Sequence, residues 1–333
     1  MPPKKVTIAT VDIEVKEGDA LAEQADVLVL KHAQALYGVD ALVVDALRTA
    51  GRNIQLPEPW GACLEDSLPA IKASRLLFIG VPPLLEFGYR EIRTFALHAI
   101  ATLAEKLPKT RHVLLTVHGP GYGLDEIEAF EAELAGLVDA VRAGNYPEAL
   151  QRITIIEFDS RRAKRLAKTL VGLFPEHTIS KTGASDQPAS AKTIERLRAA
   201  GNASDEKARV FVAMPFKDEM YDTYYYGIEK PVKAAGLLCE RADLTTFTGD
   251  VLEWVRSRIR SAHLVVADLT DANPNVYLEV GYAWGVGIPT VLVVKSTDHL
   301  KFDVRGQRCL VYKKIKELED LLTVELKRLH IDT

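Results

Sequence analysis

The stretch Leu264-Val265-Val266-Ala267-Asp268-Leu269-Thr270-Asp271-Ala272-Asn273-Pro274-Asn275-Val276-Tyr277-Leu278-Glu279-Val280-Gly281-Tyr282-Ala283-Trp284 decides how this chain is read. Its first residues form an apolar run with the length and content of a buried strand. A polar loop follows, and then a helix that is apolar almost all round. Asn273 is a good N-cap and Pro274 suits the first helical position, so the helix starts there. Beyond it, Thr290-Val291-Leu292-Val293-Val294 reads as the next buried strand. A strand, a helix and a second apolar strand make a parallel pair, and open parallel sheets bind ligands beyond the carboxyl ends of their strands. Glu279 stands inside the apolar helix, where an ionised carboxylate without a partner is costly. Helical spacing puts Asn275, Glu279, Tyr282 and Val286 on one face. The exposed amides of the helix start suit an anion or a phosphate.

Working outward, the C-terminal half repeats the pattern. Val210 to Met214 is a strand and 219–235 a helix ending at Gly236. Leu237 to Arg241 is strand-like, and Gly249-Asp250 opens a helix over 250–261. A strand near Arg308 to Tyr312 and a helix over 315–330 close this half. The N-terminal half is also α/β. Strands are expected at Val6 to Val15, Val27 to Leu30, Leu76 to Ile79, His112 to Val117 and Ile153 to Phe158. Helices are expected over 39–50, 89–107, 124–142 and 160–173. Small and polar residues fill Ser180 to Ser190, so 176–207 is read as a linker, 191–200 within it as a short helix, and the domains as 1–175 and 208–333.

Composition bounds the function. The chain has 333 residues, enough for two domains, with 47% hydrophobic and 26% charged residues and a formal net charge of -4. No basic excess points to nucleic acid, and Arg161-Arg162-Ala163-Lys164-Arg165 reads as a solvated helix face. Three scattered cysteines, Cys63, Cys239 and Cys309, give neither a disulfide framework nor a metal spacing, which fits a reducing cytoplasm. Met1-Pro2-Pro3-Lys4-Lys5 is not followed by an apolar signal core, and no apolar run approaches the roughly 20 residues of a membrane span. No metal or cofactor is expected.

A carboxylate beside a sugar carbon has a chemical use. N-glycosidic cleavage passes through an oxocarbenium-like state that a carboxylate can stabilise or attack, while a second acid assists the departing base. Glu279 suits the first role. Asp250, Asp268 and Asp271 are candidates for the second, with capping and loop-organising roles as their structural alternatives. Met214-Pro215-Phe216, beyond the first strand, could stack on a base or a sugar, or be a tight turn with a core phenylalanine. Tyr224, Tyr225 and Tyr226 read as helix packing and surface rather than as a recognition box.

Phe211-Val212-Ala213-Met214-Pro215-Phe216, Gly249-Asp250 and the block from Asp268 to Ala283 together resemble the nucleoside 2-deoxyribosyltransferase-like superfamily. The resemblance is strongest to the bacterial branch related to Toll/interleukin-1-receptor-like (TIR-like) nucleotide-processing domains. It covers about 208–300, and Glu279-Val280-Gly281-Tyr282-Ala283 is its most specific part. It implies that Glu279, in the Glu-x-Gly-x-Ala motif, is the nucleophile. It also implies that Asn273 touches the sugar, that Met214, Pro215 and Phe216 contact the nucleoside, and that Asp250 assists the base. Asp268 joins the catalytic candidates, and Asp271 and Asn275 the substrate-binding ones. Sites shared between subunits imply a homo-oligomer. Some members of the branch hydrolyse nicotinamide dinucleotides (NAD) or nucleotides in antiphage defence.

In the N-terminal half, Gly18-Asp19 precedes the strand at Val27, and Val117-His118-Gly119-Pro120-Gly121-Tyr122-Gly123 precedes a helix. Glycines there either let backbone amides approach a phosphate or only turn the chain. The order resembles a macro domain, especially the divergent form at the N-terminus of leucyl aminopeptidases. That resemblance implies an ADP-ribose-like ligand, with Asp19 near the base and Gly119, Gly121, Tyr122 and Gly123 around the diphosphate. Lys31-His32-Ala33 replaces the asparagines of macro-domain hydrolases, so binding rather than ADP-ribosyl hydrolysis is expected. His32 and His118 read as ordinary loop or pocket histidines.

The expected fold is α/β in two domains, an N-terminal macro-like mixed sheet and a C-terminal flavodoxin/Rossmann-like parallel sheet. The expected function is an N-glycosidase or deoxyribosyltransferase-like enzyme acting on a nucleotide or NAD-like molecule. The macro-like domain would regulate it by binding a nucleotide-derived signal or another subunit. A non-catalytic nucleotide or ADP-ribose-derivative sensor is the alternative, and an assembly scaffold a third. Neither a membrane nor direct nucleic-acid contact is expected.

Overall fold

The structure, a computed structural model, describes residues 10–181, 191–215, 217–242, 251–298 and 300–329. It divides into two compact units. The first takes in the chain up to His118 and Ile127–Ser204, the second Gly119–Glu126 and the chain from Asp205 onward.

The first unit is built on seven strands: β1 (Thr10–Glu17), β2 (Val27–His32), β3 (Ala62–Asp66), β4 (Arg75–Gly80), β5 (His112–Thr116), β6 (Arg152–Glu157) and β7 (Thr178–Ser180). Their order is β3-β4-β2-β5-β6-β1-β7. The five inner strands are parallel, and the edges β3 and β7 run antiparallel to their neighbours, so the sheet is mixed. Val27 to Leu30 and Leu76 to Ile79 are buried throughout, as strands covered on both faces must be. The covering helices include α1 (Gly38–Thr49), α2 (Tyr89–Lys106), α3 (Glu126–Arg142), α4 (Ser160–Leu173) and α5 (Ala191–Ala199).

In α4, Ala163, Leu166, Leu170 and Leu173 are buried at helical spacing, and Arg161, Lys164 and Lys168 are left exposed. The basic run is a solvated face, as its spacing predicted. Arg93 on α2 donates to the carbonyls of Leu197, Arg198 and Ala200, which the end of α5 leaves without helical partners. The stretch expected as a linker therefore contributes a strand, β7, as well as the short helix, both ordered against this unit.

The second unit carries β8 (Arg209–Ala213), β9 (Leu238–Glu240), β10 (Leu264–Asp268), β11 (Thr290–Val294) and β12 (Cys309–Val311). Every pairing is parallel and the order is β12-β11-β10-β8-β9, the doubly wound arrangement with its switch point between β8 and β10. The helices are α6 (Lys230–Ala234), α7 (Val251–Ser261), α8 (Pro274–Gly285) and α9 (Ile315–Arg328). The helix expected over 219–235 starts as a single turn, widens to a π-helix over Thr223–Glu229 and tightens into α6. Its Tyr224, Ile228 and Val232 share a core with Val212, Val266, Leu318 and Leu322.

Gly119–Glu126 is bound into this second unit by side chains. Gly123 has φ +81°, and a Cβ there would overlap the Trp254 ring on α7. The fully buried Asp125 carboxylate accepts from Lys233 Nζ and from the Cys239 amide, each at 2.8 Å. Among the described residues, no helix is long and apolar enough to cross a membrane.

Candidate active site between two helices of the second unit

The helix start that the sequence placed at Asn273 is built as expected. Asn273 Oδ1 accepts from the Asn275 amide at 2.9 Å, and Pro274 fills the first turn. Ala272 turns the chain into this cap with φ +48°. Five residues further on, Glu279 enters a cavity of about 370 Å³ between α7 and α8. Leu252, Val255, Ile259 and Leu278 give it apolar walls, and Asn275, Arg256 and Tyr282 supply polar groups. The Arg256 guanidinium lies 5.7 Å from the Tyr282 ring centroid. Cavities of this size and character suit small molecules.

Glu279 is the one carboxyl in that lining among the described residues, and no hydrogen bond or ion pair engages it there. Half-buried among apolar groups, its charged form loses water and gains nothing in return, which lifts its pKa to about 8. The carboxyl therefore keeps its proton at neutral pH until a ligand or a partner charge changes its surroundings.

The other acids have different surroundings. Asp268 is buried at the end of β10. Its Oδ1 accepts from the Thr270 amide at 2.8 Å and its Oδ2 from the Tyr312 hydroxyl at 2.9 Å. Burial raises its pKa, against these hydrogen bonds, which lower it. Asp271 pairs with Lys217 at 2.9 Å on the surface. Neither lines the Glu279 cavity. Asp250 and Phe216 lie outside the described residues. Met214 is in the core, its sulfur 3.8 Å from an Arg241 nitrogen, and Pro215 is buried beside it.

Helical spacing brings Asn275, Glu279, Tyr282 and Val286 to one face; the first three line one cavity, and Val286, the residue after α8, does not. Sequence reasoning missed the opposite wall. The signal was present in Leu252, Val255 and Ile259, which recur at helical spacing with Arg256 between them.

The candidate residues of the N-terminal reading fall in different units. Asp19, just beyond the end of β1, is exposed and its Oδ1 accepts from the Leu21 amide at 2.9 Å. Gly119, Gly121, Tyr122 and Gly123 belong to the second unit, where Tyr122 bridges to Ala242. Buried His118 sits 3.2 Å from Glu133 and edge-on to Phe95. Among the described residues, no group of three or more His, Cys, Asp or Glu is arranged to hold a metal ion.

No family model and no curated protein matches the chain. Solved structures do. A Clostridium botulinum CMP N-glycosidase, BcmB, is 20% identical over 35% of this chain and 98% of its own, with a TM-score of 0.31. A Trypanosoma brucei macrodomain in complex with ADP-ribose is 18% identical over 48% of this chain and 69% of its own, with a TM-score of 0.39. A tomato leucine aminopeptidase mutant is 10% identical over 99% of this chain and 91% of its own, with a TM-score of 0.34. These are likenesses of chain course, and what the site does is argued from its residues.

Proposed function

We propose that the second unit cleaves the N-glycosidic bond of a nucleotide or NAD-like molecule, with Glu279 as the nucleophile. The observation that carries this is the carboxyl without a partner in an apolar, ligand-sized cavity. In the reaction, an ionised Glu279 oxygen attacks the anomeric carbon, the carbon–nitrogen bond breaks, and its electron pair leaves with the base. Water, or a second base, then attacks the same carbon and releases Glu279. The apolar walls shed water from the carboxylate, which makes it the stronger nucleophile once ionised. Asn275 and Tyr282 supply hydrogen bonds to the ligand, and Arg256 a positive charge for an anionic group.

The first unit is proposed to take a nucleotide-derived signal, such as ADP-ribose, beyond the carboxyl ends of its parallel strands, where Asp19 stands, and to control the second. Depletion of a nucleotide pool as antiviral defence is the biological form of the same proposal, as is assembly into a homo-oligomer.

A non-catalytic sensor is the second reading, and one observation favours it: the cavity lining holds a single carboxyl among the described residues, protonated at neutral pH. Such a group donates a hydrogen bond to a ribose hydroxyl. The test is chromatography of the full chain incubated with NAD, nucleotides and deoxynucleosides, with and without ADP-ribose, beside Glu279→Gln. Free base formed by the unaltered chain and not by the variant supports the enzyme. Equal ligand affinity in both, with no base from either, supports the sensor.

A further inference from the structure

A second cavity opens at the other end of the same sheet. About 210 Å³ in volume, it lies at the amino ends of β10, β11 and β12, floored by Leu264, Val291 and Leu310. Trp284, in the last turn of α8, forms a wall with its side chain partly exposed. Two arginines reach its rim from different parts of the chain, Arg308 from just before β12 and Arg328 from the end of α9.

Both converge on one atom. Arg308 Nη1 donates to Glu325 Oε1 at 2.8 Å and Arg328 Nη2 donates to the same oxygen at 2.5 Å. The Glu325 side chain is 6% exposed, while those of Arg308 and Arg328 are 61% and 62% exposed. A buried carboxylate thus fixes two guanidiniums side by side with their outer edges in solvent. Arg308 beside it holds its carboxyl below the usual range, so it stays ionised. A guanidinium carries five N–H donors, and Arg308 Nη1 donates one of them to Glu325.

We propose that this cavity is a binding site for a small organic anion: a carboxylate or phosphate held by Arg308 and Arg328, carried on a flat apolar body that lies against Trp284. Paired arginines match the planar fork of a carboxylate or the oxygens of a phosphate. The apolar floor and the indole supply the area that a bare inorganic ion cannot use. Glu325, which also lines the cavity, is the positioning residue: its ionised carboxylate is spent on the two guanidiniums and aligns them. The cavity is too small for a dinucleotide and has no residue in common with the Glu279 cavity, so the proposal stands independently of the glycosidase reading.

Titration calorimetry of the full chain with phenyl phosphate, benzoate and inorganic phosphate tests it. The expected result is saturable one-to-one binding of an aromatic anion, the tighter of the two naming the preferred oxyanion. Arg308→Gln weakens that binding at least tenfold, and Trp284→Leu weakens phenyl phosphate more than inorganic phosphate. Circular dichroism confirms that both variants are folded, and their substitutions lie at exposed positions. The proposal is overturned if neither aromatic anion saturates, or if both folded variants bind as the unaltered chain does. Inorganic phosphate binding as tightly as phenyl phosphate removes the role of Trp284 and overturns it as stated.

Discussion

The Tyr312 hydroxyl donates to Asp268 Oδ2 at 2.9 Å, joining the residue that follows β12 to the last residue of β10. The Thr270 amide donates to Oδ1 of the same carboxylate, which is 1% exposed and is also held by the Thr270 side chain. Tyr312→Phe removes the hydroxyl and takes from that buried oxygen its Tyr312 hydrogen bond. The expected cost is roughly 1–3 kcal/mol, read from urea unfolding at pH 7. Asp268 already has a raised pKa, because burial outweighs its hydrogen bonds. Losing the Tyr312 bond raises it further, so the folded state retains a proton that the unfolded state releases. The deficit of the variant therefore grows as pH rises above the unfolded carboxylate range and shrinks below it.

Glu279 makes a kinetic prediction. If its ionised form is the nucleophile, kcat/KM rises about tenfold per pH unit in acid and levels off near pH 8, where the free carboxyl titrates. A profile flat from pH 6 to 9 contradicts that role.

The same group makes a stability prediction. Its folded pKa of about 8 stands above the unfolded value of 4.5, so between those limits the folded state binds the extra proton. Stability contributed by this group is full below about pH 4.5 and falls as pH climbs toward 8. Glu279→Gln has no such slope and is expected to be at least about 1 kcal/mol more stable than the unaltered chain at pH 8. Thermal unfolding of both proteins across that range is the check.

Lys31 and Asp40 form an ion pair at 3.0 Å with side chains 8% and 5% exposed. Asp40→Ala removes the buried counter-charge of the Lys31 ammonium and is expected to cost about 3–5 kcal/mol. Combining Lys31→Met with Asp40→Leu is expected to recover most of that loss. A single variant as stable as the double one contradicts the account.

Gly123→Ala places a methyl group where the Trp254 ring lies and forces a residue with a side chain into positive φ. Trp254 must move, and α7 with it. A thermal midpoint several degrees lower and altered tryptophan emission are expected; Gly121→Ala, which shares the positive φ but has no atom within 4 Å of a Cβ, is expected to lower the midpoint less and leave the emission unchanged.

The elements legible in the sequence are those that local pattern dictates. Val210 to Ala213, Leu264 to Ala267 and Thr290 to Val294 are apolar runs that need cover on both faces, and Asn273-Pro274 marks a helix start by its own chemistry. Strand β3, Ala62 to Asp66, gave no such signal. It is an edge strand with a partly exposed face, and its place is set by pairing with β4. Strand β7 is three residues long and exists through its register with β1. The π-helical stretch from Thr223 to Glu229 has the periodicity of an ordinary helix and departs from it in tertiary packing. Asp268 has a partner 44 positions along the chain, and nothing near Asp268 announces Tyr312. The glycines of 119–123, open in the sequence between a phosphate loop and a plain turn, turn the chain at positive φ. What no local pattern conveys is that they belong with Trp254, Lys233 and Cys239.

That last arrangement bears on modularity. The Cys239 amide finds its acceptor in Asp125, a residue contributed by the earlier half of the gene product. A fragment beginning at Asp205 would carry the Glu279 cavity yet lack the acceptor for Cys239, the counter-charge for Lys233 and the surface on which Trp254 rests. The later half is thus not a transplantable cassette. Recombination that exchanges it without residues 119–126 leaves a damaged core, which ties the inheritance of the two halves together.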